Sequence, residues 1–415
     1  MAQKTPKGFR LHIGLFGRRN VGKSSLLNAI TRQEVSIVSE HAGTTTDPVE
    51  KPMELLPLGP VLFIDTAGID DAGGLGQMRV EKTHNAFDRT DLGVVVCDGE
   101  WGEFERGIVR ELTERGVPLI AVLNKVDLWT PGETLLSELE ERDIPVVRTV
   151  ATGRKGILDF RQALLDNAPS DFVNERPILS DLISEDGMAM LVVPIDKEAP
   201  KGRLILPQVQ TIRDLLDGFR YCMVAKESEL TDALDRLAEP PDMVVTDSQA
   251  FKAVADMTPP ELPLTSFSIL FSRFKGDLRT QVEGTLAIDD LRPGDHVLVC
   301  ESCSHHPIEE DIGRVKIPRW LRQYVGGELE FTTFQGHDFP DNLSSYRMVI
   351  HCGACMFNRR EMLNRIMHCR RAGVPISNYG LVIARSNGIF RRALEPFPEA
   401  LDIVESYTHK EHAHA

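Results

Sequence analysis

From Leu11 to about Asp166 the chain alternates short, β-rich apolar runs with amphipathic stretches: LHIGLFG, SSLLNAI, VLFID, LGVVVCD, IVRELTERG, LIAVLN, LLSELEE, IPVVRT and ILDFRQALL follow one another. Strand-length runs set between helical stretches predict right-handed βαβ units and a mainly parallel, doubly wound sheet. The segment NAPSDFVNERP, with its Pro, Ser and Asn, reads as a linker. A second alternating set starts near Met188, with the strand MAMLVVPI, the helix TIRDLLDGF, the strand YCMVA, a helix from Glu229 to Leu237, the strand DMVVTD and a helix through Ala250 to Met257. After TPPELP a third set opens with LTSFSILFSRF and a helical DLRTQVEGTLAIDDL. It continues through the strands HVLVC and MVIHC and the helix REMLNRIMHCRRAG to VPIS. The pattern predicts an α/β protein of three domains: a doubly wound domain over 1–170, then two smaller α/β domains with mainly parallel sheets over 180–262 and 263–405.

A chain of 415 residues is longer than one ordinary core requires, which agrees with several domains. Its 62 acidic against 47 basic residues give a formal charge of -15, which argues against nucleic acid or an anionic membrane as the main partner. No run approaches the 18 apolar residues of a spanning helix, and the opening MAQKTPKGFRLHIGLFG lacks the apolar core and cleavage site of a signal peptide. The expected location is the cytoplasm, with no membrane association. In that reducing setting the seven cysteines are expected as thiols or metal ligands rather than disulfides.

The strand LHIGLF runs into Gly17-Arg18-Arg19-Asn20-Val21-Gly22-Lys23-Ser24 and then a helix, which is GxxxxGKS in its strand-loop-helix setting. Glycines let backbone amides turn inward around phosphates, and the helix that begins here, with Ser25 in its first turn, adds positive potential. Lys23 reaches the β and γ phosphates and the Ser24 hydroxyl ligates magnesium. VLFIDTAG then delivers Asp65 to the C-terminal end of a strand, where it can hold the magnesium, and Gly68 offers an amide to the γ-phosphate. Between them Gly43-Thr44-Thr45-Thr46-Asp47 lies in a polar loop placed to give a hydroxyl to magnesium, as a first switch. The strand LIAVL ends in Asn124-Lys125-Val126-Asp127, where a carboxylate can accept both donors of the guanine N1/N2 edge while Asn124 addresses N7 and O6. A buried carboxylate left unpaired by adenine costs kilocalories, so GTP and GDP are the expected nucleotides.

With GRRNVGKS, GTTTD, DTAG and NKVD in order over residues 17 to 127, the chain resembles the GTPases of the Era and TrmE type. The fifth motif of that family departs around Thr149, Val150 and Ala151, where its Ser-Ala is replaced. Two positions bear on rate. Ile69 follows DTAG where Ras-like proteins carry a water-orienting glutamine, which implies slow hydrolysis. Asn20 resembles the asparagine that helps potassium-stimulated relatives hold a monovalent cation.

In the last third, HVLVC leads to Cys303, His305 and His306, and MVIHC leads to His351-Cys352-Gly353-Ala354-Cys355 with a helix starting near Asn358. If the two strands are neighbours, three thiolates converge in one crevice at their C-terminal ends. By chemistry alone a zinc site of three cysteines closed by His305 or His351 competes with an iron-sulfur cluster. Cys97 and Cys222 lie alone in apolar runs, and Cys300 and Cys369 read as packing residues.

A GTPase domain, a middle α/β domain and a C-terminal CxH followed by HCxxC together resemble the HydF family of FeFe-hydrogenase maturation GTPases, over nearly the whole chain. The resemblance implies a 4Fe-4S cluster on Cys303, Cys352 and Cys355, with a weak or exchangeable fourth ligand for which His305, His351 and Glu310 are candidates. It further implies a homodimerising middle domain. The function it implies is a scaffold that receives a diiron precursor from the radical-SAM maturases HydE and HydG and hands it to apo FeFe-hydrogenase.

Overall fold

The computed structural model describes residues 5–31, 49–66, 85–173, 176–195, 202–303 and 311–414. The chain divides into two compact units, residues 1–175 and 176–415.

The first unit is built on a six-stranded sheet of β1 (Leu11–Phe16), β2 (Val49–Leu55), β3 (Gly59–Asp65), β4 (Leu92–Cys97), β5 (Leu119–Asn124) and β6 (Val146–Thr149), in the order β2-β3-β1-β4-β5-β6. β1, β4 and β5 are buried along their full length, as continuous apolar runs covered on both faces must be. β3, β1, β4, β5 and β6 are parallel, and β2 alone runs back against β3, pairing Val49 with Asp65 and Leu55 with Gly59. β2 is absent from the apolar runs above because VEKPMEL is polar and half exposed. Its Pro52 is tolerated because an edge strand leaves one row of backbone groups unpaired. The order reverses at β1, with β3 on one side and β4 on the other. The C-terminal ends of β1, β3, β4 and β5 therefore lie together at one edge of the sheet, where doubly wound folds bind ligands.

The second unit holds two four-stranded sheets, both parallel throughout. β7 (Met188–Val192), β8 (Tyr221–Ala225), β9 (Met243–Thr246) and β10 (Leu264–Ser266) lie in the order β10-β9-β7-β8. β11 (His296–Glu301), β12 (Glu330–Gln335), β13 (Met348–His351) and β14 (Ile376–Asn378) lie in the order β12-β11-β13-β14. β10, which opens the third alternating set of the sequence, is thus the edge of the middle sheet. β11 and β13 are direct neighbours with Cys300 opposite His351, the arrangement on which convergence of the cysteines depended. Cys300 and Cys369 are wholly buried in the apolar layer with Val349, Phe357, Met362 and Ile366. Among the described residues no helix is long and apolar enough to cross a membrane.

Candidate functional site

In the first unit the loop after β1 makes the bend that GxxxxGKS requires. Gly17 has φ +145°, and a Cβ there would stand 2.3 Å from the Val96 carbonyl oxygen. Gly22 has φ +100°, and its Cβ would stand 2.2 Å from Nδ2 of Asn124. Any side chain at either position collides or strains the backbone. Lys23 opens the helix Lys23–Thr31, is nearly buried, and its Nζ donates to the carbonyl oxygens of Gly17 and Arg18, both at 2.7 Å. The ammonium is therefore held across the start of its own loop, over the turn whose amides face a phosphate.

The Ser24 hydroxyl donates to Oδ2 of Asp65 at 2.7 Å. Adjacent oxygen ligands of an octahedral magnesium stand about 3 Å apart, so this pair fits the two protein contacts of one such ion. Arg18 is fixed from outside: Nε donates to Oε1 of the fully buried Glu105 at 2.8 Å, and its guanidinium lies 5.3 Å from the Phe104 ring centre. Glu105 also accepts from Gly102 N at 2.8 Å, capping the helix Glu103–Glu114. The sequence reading missed this anchor, although an acid in a first helical turn is a capping signal.

Asn124 and Asp127 play different structural parts. Asn124 is 1% exposed, donates from Nδ2 to Val21 O at 2.8 Å, and accepts on Oδ1 from Thr149 Oγ1 at 2.9 Å and Ala151 N at 3.1 Å. It thus clamps the loop after β1 to the segment after β6, and the divergent fifth motif is brought to the end of β5 by Thr149 and Ala151. Lys125, in left-handed backbone at φ +56°, donates to Asn20 O at 2.7 Å and to Oδ2 of Asp98 at 2.6 Å. Asn20 is exposed and left-handed at φ +62°, a conformation asparagine tolerates. Asp127, expected as a buried carboxylate, is exposed on the turn after β5. Thr44, Thr45, Gly68 and Ile69 lie outside the described residues.

In the second unit Cys303 follows β11, Cys352 follows β13, and Cys355 sits in the turn before the helix Arg359–Ala372. All three line one cavity of about 250 Å³, together with Glu301, Asp247 and Tyr379. Ala354 holds the turn in left-handed backbone at φ +52°, and Asn358 caps the helix, its side chain accepting from Glu361 N at 3.2 Å. Ser302 N donates to Sγ of Cys352 at 3.1 Å.

Burial, with the neighbouring Cys352 charge, pushes both Cys303 and Cys355 up to about 12. Crowded thiols of this kind lose their protons when a cation arrives to offset the charge, so metal uptake would release protons. The donor set is soft sulfur, which fits an iron-sulfur cluster or zinc. Among the described residues no three His, Cys, Asp or Glu side chains close around a single ion. His305 and Glu310 lie outside the described residues. His351 is fully buried behind the turn, its Nδ1 2.9 Å from Cys352 O and its Nε2 3.1 Å from Nη1 of Arg365. Burial first, then the Arg365 charge, lowers its pKa to about 3.

Residues 178–276 match the hydrogen maturase F dimerization domain and residues 279–396 the hydrogen maturase F tetramerization domain, together more than half of the chain. The chain belongs to the hydrogen maturase F family. The N-terminal domain is a GTPase domain, since residues 12–125 match the family described as 50S ribosome-binding GTPase. The chain is 38% identical across 159 residues to the tRNA modification GTPase MnmE of Laribacter hongkongensis, covering 38% of this chain and 34% of that one. It is 38% identical across 123 residues to the GTPase Der of Wolinella succinogenes, covering 28% and 26%. The chain thus spans about a third or less of these relatives' length. Among solved structures, Era of Aquifex aeolicus aligns with 59% of this chain and 97% of its own at 19% identity and a TM-score of 0.33.

Proposed function

We propose that this chain is a GTP-hydrolysing scaffold that holds a 4Fe-4S cluster on Cys303, Cys352 and Cys355 and carries a diiron precursor to apo FeFe-hydrogenase, with HydE and HydG as its suppliers. The observation that carries the reading is that those three cysteines line one cavity beside the ends of neighbouring strands, within a chain of the hydrogen maturase F family. When bound, the cluster would offer an iron with an exchangeable fourth position to the precursor. The chain's own part is to present one thiolate from the end of β11 and two from the turn after β13, and to offset their charge with the N-terminus of the helix Arg359–Ala372.

In the GTPase domain Lys23 neutralises the β and γ phosphates, Ser24 and Asp65 hold magnesium, and Asp127 reads guanine. Thr44, Thr45 and Gly68 belong to the switch segments of the same reading, and Asn20 supports potassium. The three functional domains are assigned to residues 1–170, 180–262 and 263–405, with β10, at the start of the third, completing the sheet of the second. Dimerisation is assigned to the free edge of β8, where Tyr221 is 65% and Val224 45% exposed beside Phe219 at 86%. An unpaired strand edge bearing apolar side chains is a template for a second copy. The deciding experiment co-expresses the chain with HydE and HydG, purifies it without oxygen and adds it to apo FeFe-hydrogenase. Hydrogen evolution is expected, and a zinc-loaded protein that activates nothing would favour a zinc-binding regulatory GTPase or an RNA-associated one.

A further inference from the structure

Arg365 is 4% exposed on the helix Arg359–Ala372, and its guanidinium lies between two rings, 4.5 Å from the Phe357 centroid and 4.9 Å from that of Phe339. Nη2 donates to Gly336 O at 2.8 Å, in the turn after β12, and Nη1 meets Nε2 of His351 at 3.1 Å. A guanidinium only donates, so Nε2 presents its lone pair. The other ring nitrogen lies 2.9 Å from the Cys352 carbonyl oxygen, which only accepts, so Nδ1 carries the proton. The imidazole is thereby fixed as one neutral tautomer with both nitrogens occupied. Strand alternation explains why: Cys352 turns to the cavity, so the residue before it turns to the opposite face, which that helix covers.

We propose that His351 is a positioning residue and not a metal ligand: it ties the carbonyl of Cys352 to Arg365, fixes the Cys352–Cys355 turn on its helix, and keeps one buried positive charge behind the thiols. This rests on the assignment of the three cysteines as cluster ligands. Arg365 joins the turn after β12, the turn after β13 and the helix in one hydrogen-bonded group. Its charge is paired with the buried Glu361 carboxylate, 3.4 Å from Nη2, so without the guanidinium a negative charge would stand behind the thiols and disfavour the more negative, reduced form of anything they hold.

The test compares the wild type with His351→Gln, His351→Ala and Arg365→Met, each reconstituted anaerobically with iron and sulfide. The glutamine amide offers one donor and one acceptor, as the ring does, so His351→Gln should keep the g-values and reduction potential of the wild type. His351→Ala should lose part of its cluster occupancy. Arg365→Met should shift the potential to more negative values. Pulsed electron paramagnetic resonance on protein labelled with ¹⁵N-histidine should show no directly coordinated nitrogen from His351. A strongly coupled nitrogen that disappears in His351→Gln overturns the proposal.

The tautomer is read independently, by ¹⁵N chemical shifts of the cluster-free protein. A protonated Nδ1 and a bare Nε2 are expected, and the reverse also overturns the proposal. Because this second measurement needs no metal, failure of the wild type to assemble any cluster counts against the cysteine assignment alone.

Discussion

Nδ2 of Asn124, at the end of β5, donates at 2.8 Å to the carbonyl of Val21 in the GxxxxGKS loop after β1. The two halves of the nucleotide site are therefore one hydrogen-bonded body. Asn124→Ala would leave the Val21 carbonyl, the Thr149 hydroxyl and the Ala151 amide without partners in a buried place. Buried polar groups left unpaired cost about 1–3 kcal/mol each, and a net loss of roughly 2–4 kcal/mol is expected after relaxation. Chemical denaturation should show that loss, together with a parallel fall in affinity for GDP and GTP. An unchanged midpoint would mean that the clamp contributes nothing.

Hydrolysis is expected to be slow, because Ile69 cannot orient water, and faster in potassium than in sodium, because Asn20 is placed beside the phosphate loop. Lys23→Ala and Ser24→Ala should abolish it, since one removes the cation over the phosphates and the other a magnesium ligand. Phosphate release measured in the two salts checks both points, and equal rates would reduce Asn20 to a turn residue.

Asp127→Asn should move preference from guanosine to xanthosine nucleotides, because an amide can donate to the carbonyl that xanthine carries where guanine has an amine. Competition binding with GTP, XTP and ATP measures it. Equal use of ATP and GTP by the unmodified chain contradicts the assignment of this carboxylate.

The acid limb of stability should carry a contribution from Glu50. Burial alone would raise its pKa, but the Arg89 guanidinium at 2.7 Å and the Lys7 ammonium outweigh burial and hold it down to about 2. A carboxylate depressed in the folded state stabilises above its unfolded value and loses that contribution as pH falls toward 2. Thermal melts of Glu50→Gln against the wild type should differ most at neutral pH, draw together below the unfolded carboxylate range and converge near pH 2. A difference independent of pH would show that packing rather than charge is at stake.

The parts of the fold that sequence made legible are those where periodicity and chemistry agree. β1, β3, β4 and β5 are apolar runs ending in Gly17, Asp65, Asp98 and Asn124, so strand and ligand-bearing loop announce each other. β2 and β12 were not legible, because VEKPMEL and EFTTFQ are edge strands with half-exposed, polar faces. The convergence of Cys303 with Cys352 depended on β11 and β13 being neighbours, a non-local fact that spacing cannot supply. For the same reason the Arg365–His351 contact, fourteen residues apart and formed across a helix and a strand, had no signature in the sequence. The burial expected for Asp127 was not realised, because the residue sits on the outer turn beyond Asn124 rather than in the strand.

The central claim is that Cys303, Cys352 and Cys355 together hold one iron-sulfur cluster. It is tested most directly by iron and sulfide analysis with electron paramagnetic resonance on anaerobically reconstituted wild type and on each cysteine-to-alanine variant. The wild type should bind about four iron and four sulfide per chain and give a reducible cluster signal. Cys303→Ala, Cys352→Ala and Cys355→Ala should each lose that signal while GTP hydrolysis remains. Stoichiometric zinc in the wild type, with no reducible cluster assembled from iron and sulfide, would contradict the account.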